Sequence, residues 1–479
     1  MYEMKRNGIV KFVDKNDKNF FERDSFEDVY CVSRDIPEIF IKCSPAEYIV
    51  IEPEISEKEK KVYDFLINII KLSNDNEFLK DLNKKEYVKR SIEKILNLYS
   101  VNISDSERQK IEYFILRNLI GLGKIQPLLD DPNIEDISCN GYDIPLYIQH
   151  GKYGSLKTNV YFDKEELDSL IRRMAQISGK MINFSNPMVD ATLPDGSRIQ
   201  ITLGSEVTTK GSTFTIRKFR EKPFLPIDLV KSDMFSPEMM AYLRLAVEEG
   251  LNIMFAGETA SGKTTAVNAI CYFIPILKKI VSIEDTRELN LVHKNWIPGV
   301  SRNAGISESA EAYDSGKTRH GTEISLYDLL RAAMRQRPDY IIVGEIRGRE
   351  AYVLFQAMAT GHATISTIHA ESIENLIHRL ENPPLNVPRS MIQTLDILVI
   401  LEEVKENEKE FRKCTSIHEI IKTDPNTKEI ITNDIFKMLP ENKQIISENS
   451  YVFNKIKTKR GWDDEKMKSV YERYTKGFM

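Results

Sequence analysis

Gly257-Glu258-Thr259-Ala260-Ser261-Gly262-Lys263-Thr264-Thr265 stands between an apolar run, Leu251 to Ala256, and a helix-forming run, Ala266 to Ile270. The order is strand, glycine-bounded loop, helix, and the spacing G-x-x-x-x-G-K-T is that of a P-loop. Gly257 and Gly262 let the backbone curl so that its N–H groups turn towards phosphate oxygens. The helix that follows adds the positive end of its dipole. Lys263 is placed to reach β- and γ-phosphates, and Thr264 to offer a hydroxyl to Mg²⁺. The nine residues together predict a nucleoside-triphosphate site.

Outward from the loop, the chain has room for several cores. Its 479 residues exceed what one hydrophobic core supports. Net charge is −5 and charged residues make up 29 %, an ordinary composition that marks neither a nucleic-acid coat nor a membrane-surface binder. Cys31, Cys43, Cys139, Cys271 and Cys414 are scattered without a C-x-x-C pair, so a reducing compartment is expected and a four-cysteine zinc site is not. Met1 to Asp17 is charged, no apolar stretch reaches 18 residues, and neither a secretory signal nor a membrane span is expected.

Downstream of the P-loop, the apolar run Lys279 to Ile283 ends in Glu284-Asp285-Thr286-Arg287-Glu288. Ligands of open α/β sheets sit at the carboxyl ends of strands, which aims these carboxylates at the nucleotide. Tyr340-Ile341-Ile342-Val343 is a buried strand capped by Gly344-Glu345. Four apolar residues ending in an acid match a Walker B strand, with Glu345 and Thr264 as the Mg²⁺ residues, partly through water. In Thr360 to Ala370, His362 and His369 are seven apart on a strand-like run, which puts them on opposite faces and excludes a shared metal. His369 fits a γ-phosphate sensor. Beyond Ile400 the chain is polar, and the run Lys455 to Arg460 reads as a solvated face.

Upstream, residues 1–55 read as an arm or small β-rich region, and 56–120 as a small helical bundle with capping boxes at Ser56/Glu59 and Ser104/Glu107. Residues 121–220 read as an α+β module. The prolines at 223 and 226 suggest a linker over 221–228, with the nucleotide domain filling 229–479. Arg198 and Arg217, in the α+β module, read on their own as surface or structural arginines.

GETASGKTT, IEDTREL, RPDYIIVGEIRG and GHATISTIHA, in that order, together with GLGKIQPLLDDPNIEDISCNG, DATLPDGSRIQ and FTIRKF, resemble the type II/IV secretion ATPase superfamily, most of all its archaeal archaellum-motor and pilus-assembly branch. The resemblance spans about Gly121 to Ile400. It implies a RecA-like α/β P-loop ATPase domain preceded by an α+β (PAS-like) domain. It further implies ATP and Mg²⁺ as ligands, Glu288 as the carboxylate that activates water, Glu345 in the Walker B role, and His369 with His362 as phosphate sensors. Arg198, Arg217 and Arg347 would supply positive charge. The resemblance also implies a homo-oligomer, commonly a hexameric ring, engaging a polytopic membrane platform protein and acidic lipid, without stable nucleic-acid binding. Such a protein is cytoplasmic and peripheral to the inner face of the membrane. It powers assembly of a pilus-like or archaellum-type filament or, alternatively, conjugation-type export of DNA or protein. The missing four-cysteine module sets the chain apart from bacterial type II members.

Overall fold

The computed structural model describes residues 2–6, 9–13, 28–33, 37–72, 84–219, 223–302, 324–406, 409–424, 426, 429–439, 443–446 and 449–479. They form two compact units, Met1–Phe219 and Arg220–Met479.

In the first unit, β1 (Tyr2–Arg6) and β2 (Ile9–Val13) pair as a separate hairpin. The strands β3 (Asp28–Ser33), β4 (Ile39–Cys43), β5 (Glu47–Ile51), β6 (Ile134–Cys139), β7 (Tyr147–His150), β8 (Gly154–Thr158), β9 (Met188–Thr192), β10 (Arg198–Thr202) and β11 (Thr213–Arg217) build one sheet. Its order is β3-β4-β5-β8-β7-β6-β11-β10-β9. Alternation gives it a dry and a wet face: Ile137, Ile199, Ile201, Phe214 and Ile216 are buried, whereas Arg198, Thr215 and Arg217 are exposed.

Residues 1–55, expected as an arm or small β-rich region, carry five strands among their described residues, and three of these join the larger sheet. β5 pairs with β8, and Ile39, Ile41, Tyr48 and Val50 enter the same core as Ile137 and Ile216. The buried Asp131 carboxylate fastens the addition, accepting hydrogen bonds of 2.6 Å from both Tyr30 and Tyr48 hydroxyls. Helices Glu57–Leu72, Lys84–Leu98 and Asp105–Leu119 close on Leu66, Val88, Ile92, Ile111 and Ile115, with both capping boxes formed. These helices belong to the same compact unit as the sheet.

The linker expected over 221–228 is also shortened. Pro226–Lys231 is a helix with Pro226 at its first position, where a missing N–H costs nothing. That proline starts a helix; it does not extend a spacer.

In the second unit, β12 (Ile253–Gly257), β13 (Ile280–Glu284), β14 (Trp296–Val300), β15 (Tyr340–Ile346), β16 (Ala363–Ile368) and β17 (Ile397–Glu406) are all parallel. Antiparallel strands β18 (Lys409–Thr423), β19 (Ile430–Leu439) and β20 (Lys443–Ile446) extend the sheet, in the order β14-β13-β15-β16-β12-β17-β18-β19-β20. Both faces are covered: Ile253 and Phe255 of β12 enter one core, Met254 and Ala256 the other. This explains why the parallel strands read as continuous apolar runs. The architecture is the expected mixed α/β P-loop domain.

The polar C-terminal region is folded back onto this sheet. Buried Glu419 on β18 accepts hydrogen bonds from the Tyr242 and Ser450 hydroxyls, the Asn433 amide, and the Tyr451 and Val452 N–H groups that open the Tyr451–Arg460 helix. The basic run on that helix, read as a solvated face, is largely exposed and is also ion-paired. Lys455 meets Asp396, Lys457 meets Asp464, and Lys459 and Arg460 both meet Glu249.

Candidate nucleotide site

The P-loop leaves β12 at Gly257, where the chain passes too close to β17 for any side chain. A Cβ there would lie 2.2 Å from the Leu401 carbonyl oxygen. Ala260 at φ +66° and Gly262 at φ +87° complete the curl, and Gly262 caps the Lys263–Ile270 helix in the left-handed conformation. Glu258, Thr259 and Ala260 are exposed, Ser261 and Lys263 are buried, and Thr264 and Thr265 are half-buried. The Lys263 ammonium donates to the carbonyl oxygens of Gly257 (2.9 Å) and Glu258. Burial lowers its pKa, opposed by Glu345 and Glu258.

Glu345 lies near the end of β15, one residue past Gly344. Its Oε2 accepts a 2.6 Å hydrogen bond from Arg347, and its Oε1 is 2.9 Å from His369 Nε2. That contact lacks hydrogen-bond alignment, so Oε1 is a buried oxygen without a partner. Burial would raise the carboxyl pKa, but Arg347, His369 and Lys263 together hold it below the usual value. Burial and Lys263 depress the His369 pKa, opposed by Glu345. Lys263, Glu345, Arg347 and His369 thus converge at the carboxyl edge of the sheet.

The acidic box divides into buried and exposed members. Glu284, 2 % exposed, ends β13, and its Oε1 accepts from the Glu288 and Leu289 N–H groups at 2.9 and 3.0 Å. Its Oε2 is buried without a partner, and burial pushes its pKa up to about 7. Asp285 and Glu288 are exposed, with Arg347 3.8 Å from Asp285. Gly344 is required by Glu284: a Cβ at 344 would come within 3.0 Å of Glu284 Cγ. Sequence reasoning treated Glu284 only as part of the box. The signal that singles it out is its place directly after four strand residues, one position short of where Glu345 stands on the neighbouring strand.

Three expected site residues have other surroundings. His362 precedes β16 and His369 follows it, so the strand itself separates them, by about 20 Å at ~3.3 Å per residue. His362 is held by Thr360 and the Ala357 carbonyl at the opposite edge of the sheet, apart from Glu345 and His369. Arg198 and Arg217 belong to the first unit, where they lie directly opposite each other on β10 and β11. Asp136 is 3.7 Å from Arg217.

The chain is similar to several known proteins. The family described as Type II/IV secretion system protein matches residues 153–459. An uncharacterized protein of Methanocaldococcus jannaschii is 37 % identical over 444 residues, 87 % of this chain and 78 % of the relative. The type IV secretion system protein PtlH of Bordetella pertussis is 30 % identical over 270 residues, 50 % of this chain and 76 % of PtlH. Among solved structures, the VirB11 ATPase of Brucella suis is similar at 26 % identity and TM-score 0.31, over 66 % of this chain and 95 % of VirB11. The ATPase DotB of Legionella pneumophila is similar at 16 % and 0.42, over 73 % and 85 %. The family match spans residues 153–459, well over half of the chain, and the protein is an ATPase of the type II/IV secretion superfamily.

Proposed function

We propose that this chain is the MgATP-hydrolysing subunit of a hexameric ring that drives assembly of a type IV pilus-like or archaellum-type filament. It would act at the cytoplasmic face of the membrane, through a platform protein and acidic lipid. The observation that carries the reading is the convergence of Lys263, Glu345 and His369 beside the P-loop, with Glu345 Oε1 2.9 Å from His369. Among the described residues no helix is long and apolar enough to cross a membrane, which fits contact through a partner.

In this reading Lys263 exchanges the carbonyl oxygens of its own loop for phosphate oxygens. The unpartnered Glu345 Oε1 and the Thr264 hydroxyl fit hydrated Mg²⁺, which when bound neutralises charge on the β- and γ-phosphates. His369, neutral, donates a hydrogen bond towards the γ-phosphate, and Arg347 holds Glu345 in place. Glu288 takes the proton of the attacking water. Arg198 and Arg217 supply positive charge, a role their pairing supports: like charges directly opposite on neighbouring strands oppose folding.

A conjugation-type exporter is the second reading, favoured by the 30 % identity to PtlH. Lys263→Ala tests the shared chemistry and should abolish hydrolysis; a mutant with normal turnover would reject the P-loop assignment. Stimulation of the wild-type rate by a platform-protein loop with acidic vesicles supports the filament motor, whereas stimulation by single-stranded DNA alone supports the exporter.

A further inference from the structure

Glu288 leaves the chain from a stretch that has no ladder or helix of its own. β13 ends at Glu284, β14 begins at Trp296, and residues 287–293 belong to neither strand nor helix. Backbone N–H groups in such a stretch still need acceptors, and three consecutive ones find them on side chains. The Glu288 and Leu289 N–H groups donate to Glu284 Oε1, at 2.9 and 3.0 Å. The Asn290 N–H donates to Asn268 Oδ1 at 3.2 Å. Asn268, itself 8 % exposed, lies on the Lys263–Ile270 helix that the P-loop opens.

The two acceptors therefore come from different elements, the end of β13 and the P-loop helix, and the backbone of 288–290 is tied to both. Leu289 is fully buried between two donors to these acceptors, while Glu288 beside it is exposed. Glu284 has little room to shift. A Cβ at Gly344 would lie 3.0 Å from Glu284 Cγ and 3.5 Å from its Cβ, so the side chain packs directly against the residue before Glu345.

We infer that Glu284 and Asn268 are positioning residues for Glu288, holding its backbone in a fixed place beside the P-loop. This rests on the reading of Glu288 as the residue that takes the proton of the attacking water. A general base must stand within hydrogen-bond reach of that proton, so a slack backbone at 288 lowers the rate of the chemical step and spares affinity. The role uses one oxygen of Glu284 and does not need its charge; burial already pushes this carboxyl up to about 7. Glutamine keeps an oxygen that accepts from both N–H groups in the same volume. Alanine removes it.

A double-mutant cycle on the full-length protein tests this, read by single-turnover MgATP hydrolysis beside equilibrium MgATP binding. Glu284→Ala should slow the chemical step roughly 10- to 100-fold with binding unchanged, and Glu284→Gln should restore most of the rate. In a Glu288→Gln background, Glu284→Ala should cost less than about twofold more, because a group that acts through Glu288 has nothing left to position. Asn268→Ala removes the tie to the helix and should behave in the same way; it carries the cycle if Glu284→Ala does not fold. Equal losses in both backgrounds, no loss in either, a fall in affinity that matches the fall in rate, or no recovery by glutamine would overturn the inference. Failure of the underlying reading has a different signature: Glu288→Gln would itself hydrolyse MgATP at the full rate.

Discussion

Glu284 and Glu288 sit in one short box and meet opposite environments. Glu288 is exposed, while Glu284 is shut beneath Gly344 with one oxygen unpartnered. If Glu288 activates water, Glu288→Gln should cut turnover at least ~100-fold, the scale of general-base catalysis, with MgATP affinity unchanged. Single-turnover hydrolysis beside equilibrium binding measures both. A full rate in Glu288→Gln with loss in Glu284→Gln would move the role to the buried residue. Glu284 also makes a pH prediction. Its folded pKa of about 7 lies above its ordinary 4.5, so the folded chain holds a proton that the unfolded chain releases. The stability this gives is complete below pH 4.5 and is lost as pH rises towards 7. At about 1.4 kcal/mol per pH unit the loss approaches ~3 kcal/mol. Nucleotide-free Glu284→Gln should flatten this fall in denaturant melts between pH 4.5 and 7; an unchanged slope would mean the carboxylate stays ionised.

Strand pairing sets the next scale. Arg198 directly opposite Arg217 on the exposed face costs the fold a few tenths of a kcal/mol to about 1 kcal/mol. Arg198→Thr should therefore raise thermal stability slightly while lowering ATP turnover several-fold; a stability gain at full turnover would make the arginine dispensable for catalysis. The elements around the P-loop were legible in the sequence because β12, β13 and β15 are buried on both faces and read as largely apolar runs, each ending in a motif. The pairing of β5 with β8 was not, since Tyr48 and Thr158 meet across more than a hundred residues of chain with no local signal. The Tyr451–Arg460 helix was missed for a related reason. Only Val452 and Ile456 are buried along it, and its cations find their carboxylates mainly on distant Asp396 and Glu249.

At the scale of the molecule, the proposed chemistry draws on residues of both units. Lys263, Glu345 and His369 are in Arg220–Met479, and the paired arginines are in Met1–Phe219. The ring motor makes one demand that a self-contained P-loop enzyme does not: turnover per subunit must depend on assembly. Its most direct test is the ATPase rate per subunit measured across a range of protein concentrations, with mass followed by light scattering in the same samples. The account predicts a per-subunit rate that climbs as hexamers replace monomers and vanishes throughout for Lys263→Ala. A monomer with full activity, constant across concentration, would contradict it.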